Sequence, residues 1–317
     1  MTTPRKLPPS LGPEFSFAEA RALGVTANRL RASDLERPFQ GVRIVRRNSL
    51  KTGNPEDPYR EALLRELALI RALGRGLRPG QFLSHRSAAL LWGIPMPHAS
   101  QPELHVTAVR SLRAPRITGA TGHSVAAERC AVVQRNGVSL SDAPTTWASL
   151  GSLSLTDQVV AGDFLVRRHR QGYGRPNAGR APVTTVRHLA SMVDLGHWDG
   201  ISTLRRSLEL IREDSWSPRE SATRLHLVLA GLPEPALNVD VFDDRNRFLA
   251  CIDLAYDNYR IAIEYQGELH KNSYAHDIER IERLRAEGWI VIQVSRVLAA
   301  QPKELVRRVE LALRSRG

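Results

Sequence analysis

The chain has 317 residues, 42% hydrophobic and 25% charged, which suits two or three domains and excludes a disordered chain. No run approaches the ~20 apolar residues of a membrane span, and the opening MTTPRKLPPS lacks the apolar core of a secretion signal. The net charge is +12, yet residues 215–317 hold 15 Lys+Arg against 15 Asp+Glu, so the excess belongs to residues 1–214. Lys is almost absent, but an arginine bias does not explain that asymmetry, and a polyanionic partner is expected rather than a membrane. Cys130 and Cys251 stand alone, without His/Cys clustering, so neither a disulfide framework nor a zinc site is suggested and a cytoplasmic location is expected.

Ser16 and Glu19 have capping-box spacing ahead of a helix over residues 17–23, which Gly24 stops. Thr26 can cap a second short helix through Leu30 and Ala32, and a β-like run follows over 41–45. Residues 1–50 therefore match a winged helix-turn-helix, a DNA-binding region with Arg29 and Arg31 on its recognition helix. A helical hairpin that only packs on the next domain fits the same residues equally well. A Pro-rich break at 54–58 opens an α+β middle domain, residues 55–213. Leu63, Leu64, Leu67, Ile70 and Leu73 have helical spacing. A second helix is expected over 87–92, strands over 103–109, 116–118 and 130–134, and helices over 145–150 and 155–165. The basic run 167–175 can touch a nucleic-acid backbone, but it reads better as a solvated loop. Residues 186–213 read as helical, and no catalytic constellation is apparent in the middle domain.

The last domain, residues 215–317, begins with Ser217 as a cap, Pro218 at the first helical position and Glu220 three residues after the cap. β-like runs follow over 236–242, 248–256 and 259–266, the last two joined by a two-residue turn, Asp257-Asn258. With Tyr256 facing Tyr259, Asp253 lies opposite Ala262 and diagonal to Glu264, at roughly 7–8 Å. Side chains alternate along a strand, so Asp253, Glu264 and Gln266 share one face. Ile252, Leu254, Ile261, Ile263 and Tyr265 form the other. Two like charges on one hairpin face repel unless solvent or a hard cation such as Mg²⁺ accommodates them; spacing alone leaves both readings open. A helix over 274–287 burying Tyr274, Ile278, Ile281 and Leu284, a strand over 289–294 and a helix over 302–313 complete the domain.

Asp253 followed by Glu264-Tyr265-Gln266, after a helix bearing Glu220, resembles the PD-(D/E)XK nuclease superfamily. The fuller string Glu264-Tyr265-Gln266-Gly267-Glu268-Leu269-His270, then Asp277, Arg280 and a helix ending Glu287-Gly288-Trp289, resembles relatives of very-short-patch repair endonucleases. The resemblance covers about residues 215–317. It implies an α/β, restriction-endonuclease-like domain, a central mixed sheet flanked by helices. It also implies Asp253 and Glu264 as ligands of Mg²⁺ or Mn²⁺, with Glu220 as an acid reaching the metal through water. The capping box accounts for Glu220 without chemistry. Gln266 stands where the superfamily often has Lys and cannot supply positive charge. His270 is a candidate general base or phosphate ligand. Asp277 and Arg280 read first as an ion pair on one helical face and second as an active-site contact. Residues 20–25 and 84–95 resemble AbiEi-type antitoxin and abortive-infection regulators, which implies DNA binding or protein association. The expected activity is metal-dependent phosphodiester hydrolysis of DNA, with RNA not excluded and the basic N-terminal parts holding the substrate. The alternative is a DNA-binding regulator with an inactive nuclease fold, towards which Gln266 points. A protein partner or a homodimer is compatible with either.

Overall fold

The computed structural model describes residues 4–46, 58–110, 112–173, 175, 177–265 and 274–317. The chain is α/β and forms two compact units, Met1–Ser152 with Ser191–Asp199, and Leu153–Ala190 with Gly200–Gly317. Among the described residues, no helix is long and apolar enough to cross a membrane.

The first unit opens with β1 (Glu14–Ser16), α1 (Phe17–Ala22), β2 (Leu35–Glu36) and β3 (Val42–Val45), whose strands pair in the order β1-β3-β2. Both halves of the capping box form: Glu19 N–H donates to Ser16 Oγ at 3.1 Å, and Ser16 N–H to Glu19 Oε2 at 2.7 Å. Phe15, Ala20, Leu30 and Leu35 are the buried core of this part. The expected second helix is one 3-10 turn, Arg29–Arg31. Arg29 is spent on Asp34, in a bidentate pair at 2.8 and 2.7 Å. A single turn cannot fill a major groove as a recognition helix does; of the two expected contacts, only Arg31 is exposed.

Next come α2 (Pro58–Arg75), β4 (Gln81–Leu83), α3 (His85–Trp92), β5 (His105–Val109), β6 (Thr121–Val125), β7 (Val132–Arg135), β8 (Val138–Ser141) and α4 (Ala143–Ala148). The sheet runs β6-β5-β4-β8-β7 and is mixed, with β4/β8 and β5/β6 parallel. Ile70 and Leu73 of α2 meet Leu83, Val106 and Leu140 in its core. The strand expected at 116–118 is only an isolated bridge, Ile117 to Ala120, and the ladder forms at β6 instead.

The second unit comprises α5 (Leu155–Val166), α6 (Val186–Asp194, whose end groups with the first unit), α7 (Ile201–Leu210), α8 (Pro218–Leu229), β9 (Ala236–Phe242), β10 (Phe248–Tyr256), β11 (Ile261–Tyr265), α9 (Tyr274–Ala286), β12 (Ile290–Val294), α10 (Arg296–Ala299) and α11 (Pro302–Arg314). Its sheet runs β12-β11-β10-β9. The hairpin partners are antiparallel, and β11 and β12, joined through α9, are parallel, as a crossover connection demands. Leu254, Tyr256, Ile261 and Ile263 pack with Leu227, Leu305 and Val309, whereas Ala250, Ile252, Ala262, Leu284 and Trp289 form a second cluster. Ile252 thus leaves the set expected for it. Ile278 is 43% exposed, unlike the buried Leu284 one and a half turns on.

The expected boundary near residue 214 does not separate these units, because α5 and α7 belong with α8. A buried polar network explains the grouping. The Arg224 guanidinium, 0% exposed, donates to Asp163 Oδ2 at 3.2 Å, to Glu234 Oε1 at 2.8 Å and to the Leu210 carbonyl at 2.7 Å. Asp163 also accepts from Ser221 Oγ at 2.7 Å and from Arg212 N–H at 2.7 Å. Burial pushes the Asp163 carboxyl up, with Arg224 and these donors pulling it back. Arg224→Ala strands the buried Asp163 carboxyl, and Asp163→Ala leaves the buried Arg224 only the partly exposed Glu234. Asp163→Ala and Arg224→Ala are each expected to cost about 3–5 kcal/mol, read as a lowered urea midpoint. Glu310→Ala, which removes an α11 surface pair with Arg314, should leave that midpoint unchanged.

Candidate functional site

The loop between β10 and β11 is longer than a two-residue turn. Asp257–Tyr259 form a 3-10 turn, and Arg260 takes a left-handed φ of 47°. The pairs are therefore Tyr256–Ile261, Ala255–Ala262 and Leu254–Ile263. One step further along this register, Asp253 stands level with Glu264 rather than Ala262. The register differs from the expected one by two residues, which preserves the face, since only an odd slip turns side chains over. Directly facing residues approach more closely than diagonal ones.

Each strand contributes one polar residue at this level. Ile252 pairs with Val239 and Leu254 with Leu237, so Asp253 falls opposite Asn238 of β9, while Glu264 pairs with Gln293 of β12. Asp253 Oδ2 accepts the Tyr265 N–H at 2.9 Å. Glu264 is buried at 3% exposure, and its Oε2 accepts from the Arg280 guanidinium at 2.6 Å. Arg280 of α9 thus pairs with Glu264 of β11. The side chain of Asp277 lies outside the described residues, as do Gln266 and His270 altogether.

Glu220 joins this group from the first turn of α8. Its backbone N–H donates to Ser217 Oγ at 3.2 Å, as a cap requires. Its carboxylate is not used on the cap: Oε2 accepts from Trp216 N–H and from Asn238 Nδ2, both at 2.8 Å. Asn238 has a left-handed φ of 52° and spends the same amide on the Asp214 carbonyl at 2.6 Å. Asn tolerates this backbone better than most residues. Nothing in the sequence pattern singled out Asn238, because it sits within an ordinary β-like run.

Burial first, then the negative charges of Glu264 and Glu220, push the Asp253 carboxyl well above the usual carboxylate range, with Arg280 pulling the other way. The described residues of the basic run at 167–175 are a largely exposed loop, as expected, tethered by ion pairs. Arg168 pairs with Glu213 at 2.6 Å, Arg170 with Asp214 at 2.8 Å, and Arg175, 4% exposed, with Asp240.

A second constellation lies in the first unit, where no catalytic group and no zinc site were expected. His85, His105 and His123 are the one group of three or more His, Cys, Asp or Glu, among the described residues, whose ligand atoms all lie within 4.8 Å of one another. His105 Nδ1 and His123 Nε2 are 2.9 Å apart, and the His85 ring stacks on His123 at 3.8 Å between centroids. Burial and the neighbouring rings lower His85 to about 3. Burial, His123 and Arg86 lower His105 to about 4, against Glu66. Burial also lowers His123, against Asp199. Successive positions are 20 and 18 residues apart in sequence, so spacing gave no local signal; the pairings of β4 with β5 and of β5 with β6 bring them together.

No family model matches the chain, and none of the curated proteins compared with it matches significantly.

The state of Asp253 sets a pH and stability test. Its folded value stands above the unfolded value near 3.9. The metal-free fold is thus spared the cost of the charge below that pH, and loses stability as pH rises through the folded value. Asp253→Asn keeps an acceptor for Tyr265 N–H and removes the charge. In metal-free buffer at neutral pH it should raise the thermal midpoint by about 2–8 °C, the equivalent of roughly 1–2 kcal/mol. The gain over wild type should vanish near pH 3.

Proposed function

We propose that the C-terminal unit hydrolyses phosphodiester bonds in DNA with Mg²⁺ or Mn²⁺, as the resemblance to PD-(D/E)XK nucleases implies. The observation that carries this reading is the placement of Asp253 and Glu264 on neighbouring strands, where the charge of Glu264 opposes ionisation of Asp253. A hard cation relieves that opposition. Mg²⁺ takes one or two carboxylates and keeps several waters, so two facing carboxylates are a fitting donor set, with Asp253 and Glu264 as its holders. Such an ion lowers the pKa of a bound water and offsets charge growing on a phosphate.

The chain's own residues supply the rest. Trp216 N–H and Asn238 hold the Glu220 carboxylate in place, where its charge adds to the field that draws a cation in. Arg280 positions the Glu264 carboxylate and puts positive charge beside the place a phosphate would occupy. The parallel β11–α9–β12 crossover supports the restriction-endonuclease-like reading. The positive excess of residues 1–214 supports a polyanionic substrate, DNA first and RNA second. The winged helix-turn-helix reading loses support, since its recognition helix is a single 3-10 turn with Arg29 matched by Asp34.

One observation favours the second reading, a DNA-binding regulator on an inactive nuclease fold: Arg280 already neutralises Glu264. Cleavage assays separate the two. Wild type with Mg²⁺ or Mn²⁺ should cut supercoiled plasmid, single-stranded DNA or RNA, and Asp253→Ala and Glu264→Ala should each lose at least about 100-fold, the scale of losing a principal catalytic interaction. A silent wild type that still binds DNA would establish the regulator. Cutting that survives both substitutions would remove these carboxylates from the chemistry.

The Arg29–Asp34 pair generates a separate expectation. Arg29→Ala should leave DNA affinity and its salt dependence unchanged in filter binding, since a guanidinium already matched by Asp34 releases few counterions.

A further inference from the structure

We propose that His85, His105 and His123 form a binding site for one divalent transition-metal ion of the zinc class, held by three imidazole nitrogens with a fourth position open to water. The inference is independent of the nuclease reading, since its ligands are nitrogens.

The geometry comes from three elements of the first unit. His105 lies on β5 two residues before Thr107, and Thr107 pairs with His123 of the parallel neighbour β6. Both imidazoles therefore project from one face of the sheet. His85 follows β4 at the start of α3, with a left-handed φ of 48°. A non-glycine residue in that conformation is strained unless its surroundings hold it. Here Ser84 does so. Its hydroxyl leaves the helix uncapped, accepts a hydrogen bond from Thr107 Oγ1 at 2.6 Å and contacts His85 Nδ1 at 2.9 Å. With Nδ1 so engaged, Nε2 of His85 is the atom left for an ion. A hydrogen-bonded far nitrogen is the outer-shell arrangement that orients a ligating histidine. Ser87 Oγ, accepting His105 N–H at 2.8 Å, fixes β5 beside it.

His105 Nδ1 and His123 Nε2 face each other at 2.9 Å, so in the metal-free state one proton sits between two lone pairs. Metal binding needs only that the ring holding this proton take its other tautomer, with the N–H on the far nitrogen and no net proton released. Two nitrogens at about 2.05 Å from a tetrahedral zinc ion lie about 3.3 Å apart, so the pair needs to open by only a few tenths of an ångström. All three imidazoles are half-buried, which leaves an entry path. Imidazole selects zinc, copper, nickel and iron over magnesium and calcium. Three protein nitrogens with one open position is the arrangement of zinc sites that exchange a water.

The test uses the untagged, full-length, metal-stripped protein. Calorimetric titration with zinc chloride should give one tight equivalent, separate from any weaker binding at the carboxylates, and cobalt(II) should give a tetrahedral visible spectrum without thiolate charge transfer. His85→Asn, His105→Asn and His123→Asn should each weaken zinc at least tenfold while the far-ultraviolet dichroism is kept. Asp253→Ala should keep the equivalent. Three results overturn the site: no stoichiometric zinc binding by wild type, zinc binding undiminished in the three folded variants, or a thiolate band that places the ion on Cys130 or Cys251. If an Asn variant fails to fold, the wild-type stoichiometry and cobalt spectrum still decide.

Discussion

Asp253 and Glu264 face each other from adjacent strands, so the sheet of the second unit carries two acids where water has little access. Coulomb repulsion at that separation is small in water and several-fold larger in a protein interior. A fold keeps such a pair only if something nearby supplies positive charge or directed donors. Arg280 reaches across from α9 to one acid, and the Tyr265 backbone N–H serves the other. Glu220 adds a third negative charge but is itself held by two donors. The surrounding elements follow from this demand: α9 has to cross over the sheet to deliver Arg280, and α8 has to start beside Asn238 to deliver Glu220.

The placement of α8 in turn rests on a second buried charge. Arg224, one turn along the helix from Glu220, is enclosed by Asp163, Glu234 and the Leu210 carbonyl. Buried ion pairs contribute little net stability, but here the two terminal nitrogens of Arg224 fix which elements meet. This pair ties the helices before residue 214 to the sheet after it, which is why the site's support begins at α5. The network and the acid cluster are therefore two parts of one scaffold: one holds α8, and the other uses the residues α8 presents.

Much of this was legible in the sequence, for physical reasons that can be named. Ser217, Pro218 and Glu220 signal a helix start, and the strands at Ala236–Phe242 and Phe248–Tyr256 follow from apolar alternation between Gly and Asp-Asn breaks. The shared face of Asp253 and Glu264 was also legible, because an even register error preserves faces. The register itself was not, since a left-handed Arg260 lengthens a loop that Asp-Asn alone suggests is short. Arg29 misled because charge on a short helix reads as available, whereas Asp34 lies five residues on and neutralises it. The three histidines were invisible for a different reason. Their proximity is made by strand pairing across β4, β5 and β6, and no local period encodes that.

The two constellations differ in the chemistry they offer. Carboxylate oxygens on β10 and β11 suit hard cations that keep their waters, while imidazoles on β5, β6 and α3 suit borderline cations that give them up. In a cell holding both kinds of ion, ligand softness sorts them without any contact between the sites, since zinc gains more from nitrogen and magnesium gains nothing from it. The sorting is not perfect: carboxylates also bind transition metals, and the Irving–Williams order puts zinc above manganese at either site. An activity supported by Mn²⁺ and suppressed by excess Zn²⁺ would then report occupancy of the oxygen set by the wrong ion.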